Sequence, residues 1–149
     1  MTVKRRGRHA ALAAFLIATF VFFALEIAAQ SGETFKARLS PVPINVSQLS
    51  IVAGAGSLTA TLVGKKLTIQ GTFEGLRSPA TTVQIHRGPK GIPGPAILDL
   101  MVTKTAKGTV SGAVDLSPDQ MEDLRNARLY VQIQSERAPD GNLWGWFLK

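Results

Sequence analysis

From Phe35 onward, apolar side chains return at every second position in run after run, and this period constrains the chain more than any other feature. Alternate residues fall on opposite faces only when the backbone is extended, so each such run reads as a strand with one buried face. Phe35, Ala37 and Leu39 alternate before Pro41 and Pro43 break the pattern. Leu58, Ala60 and Leu62 run into a turn at Gly64-Lys65, from which Leu67, Ile69, Gly71 and Phe73 return as the second arm of a hairpin. Val83 with Ile85, then Leu98, Leu100 and Val102, then Val110, Gly112 and Val114 give three more strands. Leu129, Val131 and Ile133 point one way while Tyr130, Gln132 and Gln134 point the other. A turn is predicted at Pro139-Asp140-Gly141, before Leu143, Gly145 and Phe147 alternate with Trp144 and Trp146. These spacings predict an all-β domain, an antiparallel Greek-key-like β-sandwich or barrel.

One short helix, at about 117–126, interrupts the strands. Ser117 suits its N-cap, Pro118 its first position, and Gln120 completes a capping box, with Met121 and Leu124 as the apolar stripe. The chain has no cysteine, which excludes disulfides, thiolate zinc sites and thiol nucleophiles. Stability therefore has to come from the apolar core.

The first 29 residues read as addressing information. Lys4, Arg5, Arg6 and Arg8 precede an apolar run from Ala10 to Leu25, and Ile27-Ala28-Ala29 offers a small-residue cleavage site. The expectation is a signal peptide over 1–29, forming a signal helix, and a β domain over 30–149, secreted or periplasmic. The alternative is an uncleaved N-terminal anchor holding the domain to the inner membrane. Without this segment the formal charge falls from +7 to +4, because 13 basic and 9 acidic residues remain. The basic residues are scattered, with Lys65-Lys66 the densest pair, so no phosphate-tracking patch is visible and nucleic acid is not an expected partner.

Several landmarks in this order resemble the CHRD domain family, named after chordin and found in many exported bacterial proteins. They are Phe35-Lys36-Ala37-Arg38-Leu39-Ser40, Gly71-Thr72-Phe73-Glu74-Gly75-Leu76, Ile85-His86-Arg87-Gly88 with Gly94-Pro95, Ser111-Gly112 leading to Leu116, Leu129-Tyr130-Val131, and Pro139 through Gly145. The resemblance implies a single exported β domain. Family members often carry a His-x-His pair on the central strand and another histidine after the leucine-tyrosine motif. This chain has Gln84 with His86, and Gln134.

That departure weakens a metal reading. Gln84 and His86 share a strand face, but such spacing suits a copper or zinc site only with more nitrogen ligands than one imidazole supplies. His86 reads first as a strand-end imidazole bonded to the loop that follows, and second as a remnant metal or ligand contact. The loop Arg87 to Ala96 lacks the Gly-Lys-Ser/Thr ending of a phosphate cradle and carries three prolines, so it reads as a rigid turn.

The aromatic residues near the end offer the best binding surface. If the strand holding Trp144 and Trp146 pairs with the preceding one, Tyr130, Gln132, Gln134, Trp144 and Trp146 form one patch of rings and amides, suited to a sugar or a protein hot spot. The opposing possibilities are that the helix or the N-terminal segment covers these rings, or that the parity is reversed and they are core. The sequence thus predicts a noncatalytic exported binding module, without cofactor, whose partner is a protein or a cell-surface glycan. The alternative is a metal-binding or redox protein, distantly resembling copper/zinc superoxide dismutases, built on His86, Gln84 and Gln134.

Overall fold

The computed structural model describes residues 31–149. The predicted signal segment lies outside the described residues. Eight strands follow one another as β1 (Glu33–Pro41), β2 (Ala55–Val63), β3 (Lys66–Glu74), β4 (Ala80–Arg87), β5 (Ala96–Val102), β6 (Gly108–Asp115), β7 (Leu129–Ser135) and β8 (Ala138–Trp146). They close into an antiparallel barrel in the order β1-β2-β3-β6-β5-β4-β7-β8. The chain twice skips over two strands: from β3 to β4, and from β6 to β7 through the helix α1 (Pro118–Arg125). These crossings make the topology Greek-key-like. Two seams are thin, with β5 paired to β6 only at Met101↔Ser111 and Val102↔Val110, and β8 to β1 at Ser40↔Trp144 and Pro41↔Leu143.

The period-two runs land where alternation demands. Phe35, Ala37, Leu39, Leu58, Ala60, Leu62, Leu67, Ile69, Phe73, Val83, Ile85, Val131, Ile133, Leu143 and Phe147 are all buried in one cluster. Helix α1 begins as predicted, with Ser117 Oγ accepting from Gln120 N at 3.2 Å and Gln120 Oε1 accepting from Ser117 N at 2.9 Å. Leu124 is buried in the core and Met121 packs against it.

The expected turn at Pro139-Asp140-Gly141 is a correction. The reversal occurs at Glu136-Arg137, and Pro139 to Gly141 lie inside β8. Ser135 pairs with Ala138 but Ile133 with Leu143, so β8 carries a bulge opposite a single β7 residue. Proline is tolerated there because a bulge demands no ladder N–H. Side chains complete the bulge: Gln132 Nε2 donates to Asp140 O at 2.9 Å, and buried Asn142 Nδ2 donates to Ser135 Oγ at 2.8 Å.

Glu33 at the start of β1 accepts from Arg125 at 2.6 and 3.0 Å and from Lys149 at 2.8 Å, tying the helix end and β1 to residues beyond β8. The Arg125 hydrogen bond, then that of Lys149, holds its carboxyl at about 2 against an ordinary 4.5. A depressed carboxylate contributes stability above its unfolded value and loses that contribution as pH falls through the folded one. The stability difference between wild type and Glu33→Gln should therefore be complete above pH 4.5 and vanish as pH falls to about 2. Urea unfolding across that range checks it, and a difference that persists below pH 2 would remove the charge as its cause.

Candidate functional site

The face of β4, β7 and β8 opposite the core carries the residues expected to form a site. Register places His86 beside Tyr130 and Tyr130 beside Trp146; one step along, Gln84, Gln132 and Trp144 are neighbours; and Thr82 faces Gln134. The parity expected for Trp144 and Trp146 is therefore the observed one, with Leu143 and Phe147 in the core behind them.

The rings are not equally exposed. Trp146 is only 7% exposed and Tyr130 is fully buried, whereas Trp144 is half-buried. The loop Gly88 to Pro95 folds back over them and makes the bonding contacts. Trp146 Nε1 donates to Gly88 O at 3.0 Å. Tyr130 Oη accepts from Gly94 N at 2.9 Å and donates to Gly94 O at 3.3 Å. His86 Nδ1 lies 2.9 Å from the same Gly94 O, and because a carbonyl only accepts, Nδ1 carries the proton. Position 94 has to be glycine, since a Cβ there would stand 1.8 Å from Arg87 O.

Beneath the loop the rings form a continuous tier. His86 stacks on Tyr130 with centroids 5.0 Å apart, Tyr130 stacks on Trp146 at 4.5 Å, and Trp144 meets Trp146 edge-on at 4.7 Å and Tyr130 at 5.9 Å. Offset and edge-on pairs of this kind contribute about 0.5–1.5 kcal/mol each beyond the area they bury. The base of the loop is fixed to the helix. Asp123, 3% exposed on α1, lies 2.5 Å from Arg87 Nε and 3.7 Å from Arg128 Nε. The Arg87 contact is an ion pair by distance, but the N–H is not directed at Oδ2, which receives no hydrogen bond.

His86 Nε2 is also buried and without a hydrogen-bond partner. The amides enlisted beside it by the metal reading are turned to other partners. Gln84 Nε2 donates to Asp99 at 2.8 Å and Gln134 Oε1 accepts from Thr82; Gln132, of the aromatic patch, donates through Nε2 to Asp140 O. Among the described residues no group of three or more His, Asp or Glu side chains is placed to hold a metal ion. The geometry thus gathers the seven candidates on one face but does not converge their polar atoms on one point. What stays accessible is the Trp144 end, with half-buried Gln84 and Gln134 on the same face.

A second feature was not anticipated. The outer face of β1, β2, β3 and β6 holds an open groove of about 1150 Å³, continuous through Ser57, Thr59, Thr72 and Thr109 with a smaller one of about 480 Å³. Its sequence signal was the polar half of the alternation, Lys36 and Arg38 on one strand and Ser57, Thr59 and Thr72 on the next two. That half reads as ordinary solvated surface until register aligns it.

A model of the CHRD domain matches residues 35–146, which span β1 to the end of β8. No curated protein and no solved structure matches the chain.

Proposed function

The chain belongs to the CHRD domain family, and on that premise we propose that it is a noncatalytic, exported binding module whose partner is a protein or a cell-surface glycan. The observation that carries this reading is the half-buried Trp144 at the accessible end of an otherwise roofed aromatic tier, with half-buried Gln84 and Gln134 on the same face. A pinned ring loses little freedom on contact, while amides at its margin give hydrogen-bond direction, as binding hot spots require. The loop serves this surface by holding Tyr130 and Trp146 rigid behind Trp144. Export follows from the basic, apolar N-terminus, with secretion or the periplasm as the destination.

The test places a photo-crosslinking residue at Gln134 of the full chain in its own cell. An adduct sensitive to protease or to glycosidase identifies which partner class is bound, and Trp144→Ala is expected to lower its yield about fivefold while the domain stays folded by circular dichroism, with a modest loss of stability from its two edge-on ring contacts. An adduct unaffected by Trp144→Ala, or none at all, overturns the Trp144 face. The mass of the exported protein tests the address, since loss of residues 1–29 is expected and retention would mean an anchored domain.

A further inference from the structure

We propose that the groove on the outer face of β1, β2, β3 and β6 binds an acidic polysaccharide, one whose sugar rings carry carboxylates, laid across the strands. This surface is separate from the Trp144 face and stands independently of it. Register puts Arg38, Ser57, Thr72 and Thr109 in one row across four adjacent strands, and Lys36, Thr59, Gln70 and Ser111 in the next. Every member of both rows has an O–H or N–H to donate. Adjacent strands lie ~4.8 Å apart, so each row is a rank of donors at a spacing close to the repeat of an extended glycan.

These groups are free to act. Among the described residues, the hydroxyls of Ser57, Thr59 and Thr72 make no side-chain hydrogen bond, and exposed Lys36 and Arg38 have no carboxylate partner. At the far end Lys107 pairs with Glu74 at 3.2 Å, so the groove keeps an excess of positive charge.

Three physical facts select the occupant. Phe73, the one aromatic among the described residues along the groove, is 1% exposed and turned to the core, so it offers a neutral sugar no ring on which to stack. The two unpaired cations call instead for anions, and the Arg38 guanidinium can take a carboxylate through two parallel N–H bonds. β2 and β3 are each paired on both sides, so a peptide cannot add as a further strand there.

The experiment measures binding of polygalacturonate fragments to the purified full chain by calorimetry, with dextran and dextran sulfate as neutral and merely charged comparators. Polygalacturonate is expected to bind, dextran not to bind, and affinity to fall with added salt. Lys36→Ser with Arg38→Ser is expected to weaken binding about tenfold by removing the charge-assisted contacts. Thr59→Val with Thr72→Val, which leaves the charge unchanged, is expected to weaken it about threefold. All four positions face outward, and circular dichroism checks that each variant keeps the fold. Absence of binding, binding of dextran as tight as that of polygalacturonate, or indifference to the double charge variant each overturns the proposal. So does equal binding of dextran sulfate with no effect of the threonine substitutions, which would leave charge attraction alone. Crosslinking at the Trp144 face is expected to be unchanged in all these variants, so failure of one surface is distinguishable from failure of the other.

Discussion

Replacing Tyr130 with alanine is expected to lower the unfolding free energy by about 4 kcal/mol, within the range found for removal of large buried aromatics. The ring is fully buried, touches His86, Trp144 and Trp146, and its hydroxyl bonds both backbone polar groups of Gly94. Alanine therefore opens a cavity in the middle of the tier and unfastens the loop that roofs it. Domains of this size have ~5–15 kcal/mol of stability in all, so the variant is expected to sit close to its unfolding threshold. Tyr130→Phe separates the two effects: the ring stays, only the Gly94 bonds go, and a cost of about 1–3 kcal/mol is expected for the N–H left unpaired. Urea unfolding with an unchanged m-value measures both. Acrylamide quenching of Trp146 is expected to rise in the alanine variant as the loop lifts. A cost below about 1.5 kcal/mol for Tyr130→Ala would falsify the view that the tier holds the loop.

Gly71→Ala is the second large effect, expected to cost about 3 kcal/mol, the upper end for overpacking. Gly71 sits on the inner face of β3 between Ile69 and Phe73, paired with Leu58 of β2. A Cβ there would lie 2.1 Å from Ser57 O and 2.7 Å from Leu58 Cα. Both are backbone atoms, so no side-chain rotation relieves the clash and β2 itself has to move away. Thr72→Ala, one residue on and facing solvent, is expected to change stability by less than about 0.5 kcal/mol. A loss at Gly71→Ala no larger than that at Thr72→Ala would mean that close strand approach does not explain the glycine. Because β2 and β3 carry the groove, a shift of β2 is also expected to disturb Ser57 and Thr59 there.

The inner faces of the strands were legible because a buried face repeats every second residue, and Phe35-Ala37-Leu39, Leu58-Ala60-Leu62 and Leu143-Gly145-Phe147 leave little choice of orientation. The capped helix at Ser117-Pro118 was legible for a different reason, since its signal is local and needs no partner. The β7–β8 reversal was misplaced because Pro139-Asp140-Gly141 has the composition of a turn. Only the pairing of Ile133 with Leu143 and of Ser135 with Ala138 shows that these residues form a bulge.

The candidate site was legible in membership but not in accessibility. Alternation put Tyr130, Gln132, Gln134, Trp144 and Trp146 on one face, yet alternation is blind to what folds over a face. The loop that covers it begins next to His86 in sequence and closes onto Tyr130 and Trp146, 36 and 58 residues away from the glycines they hold. The groove was hidden more completely, because Arg38, Ser57, Thr72 and Thr109 become one row only through three separate strand pairings.

By itself, then, the sequence determined which residues are extended everywhere but at the β7–β8 reversal, which face of each strand is apolar, where the helix starts, and that no disulfide contributes. These are properties of period and of local hydrogen bonding. Tertiary structure alone decided the strand order, the two crossings over neighbouring strands, the roof above the aromatic tier and the alignment of the polar rows. Those depend on registers between residues far apart in the chain, where any strand with one apolar face could satisfy any other, and only closure of the barrel selects the pairing.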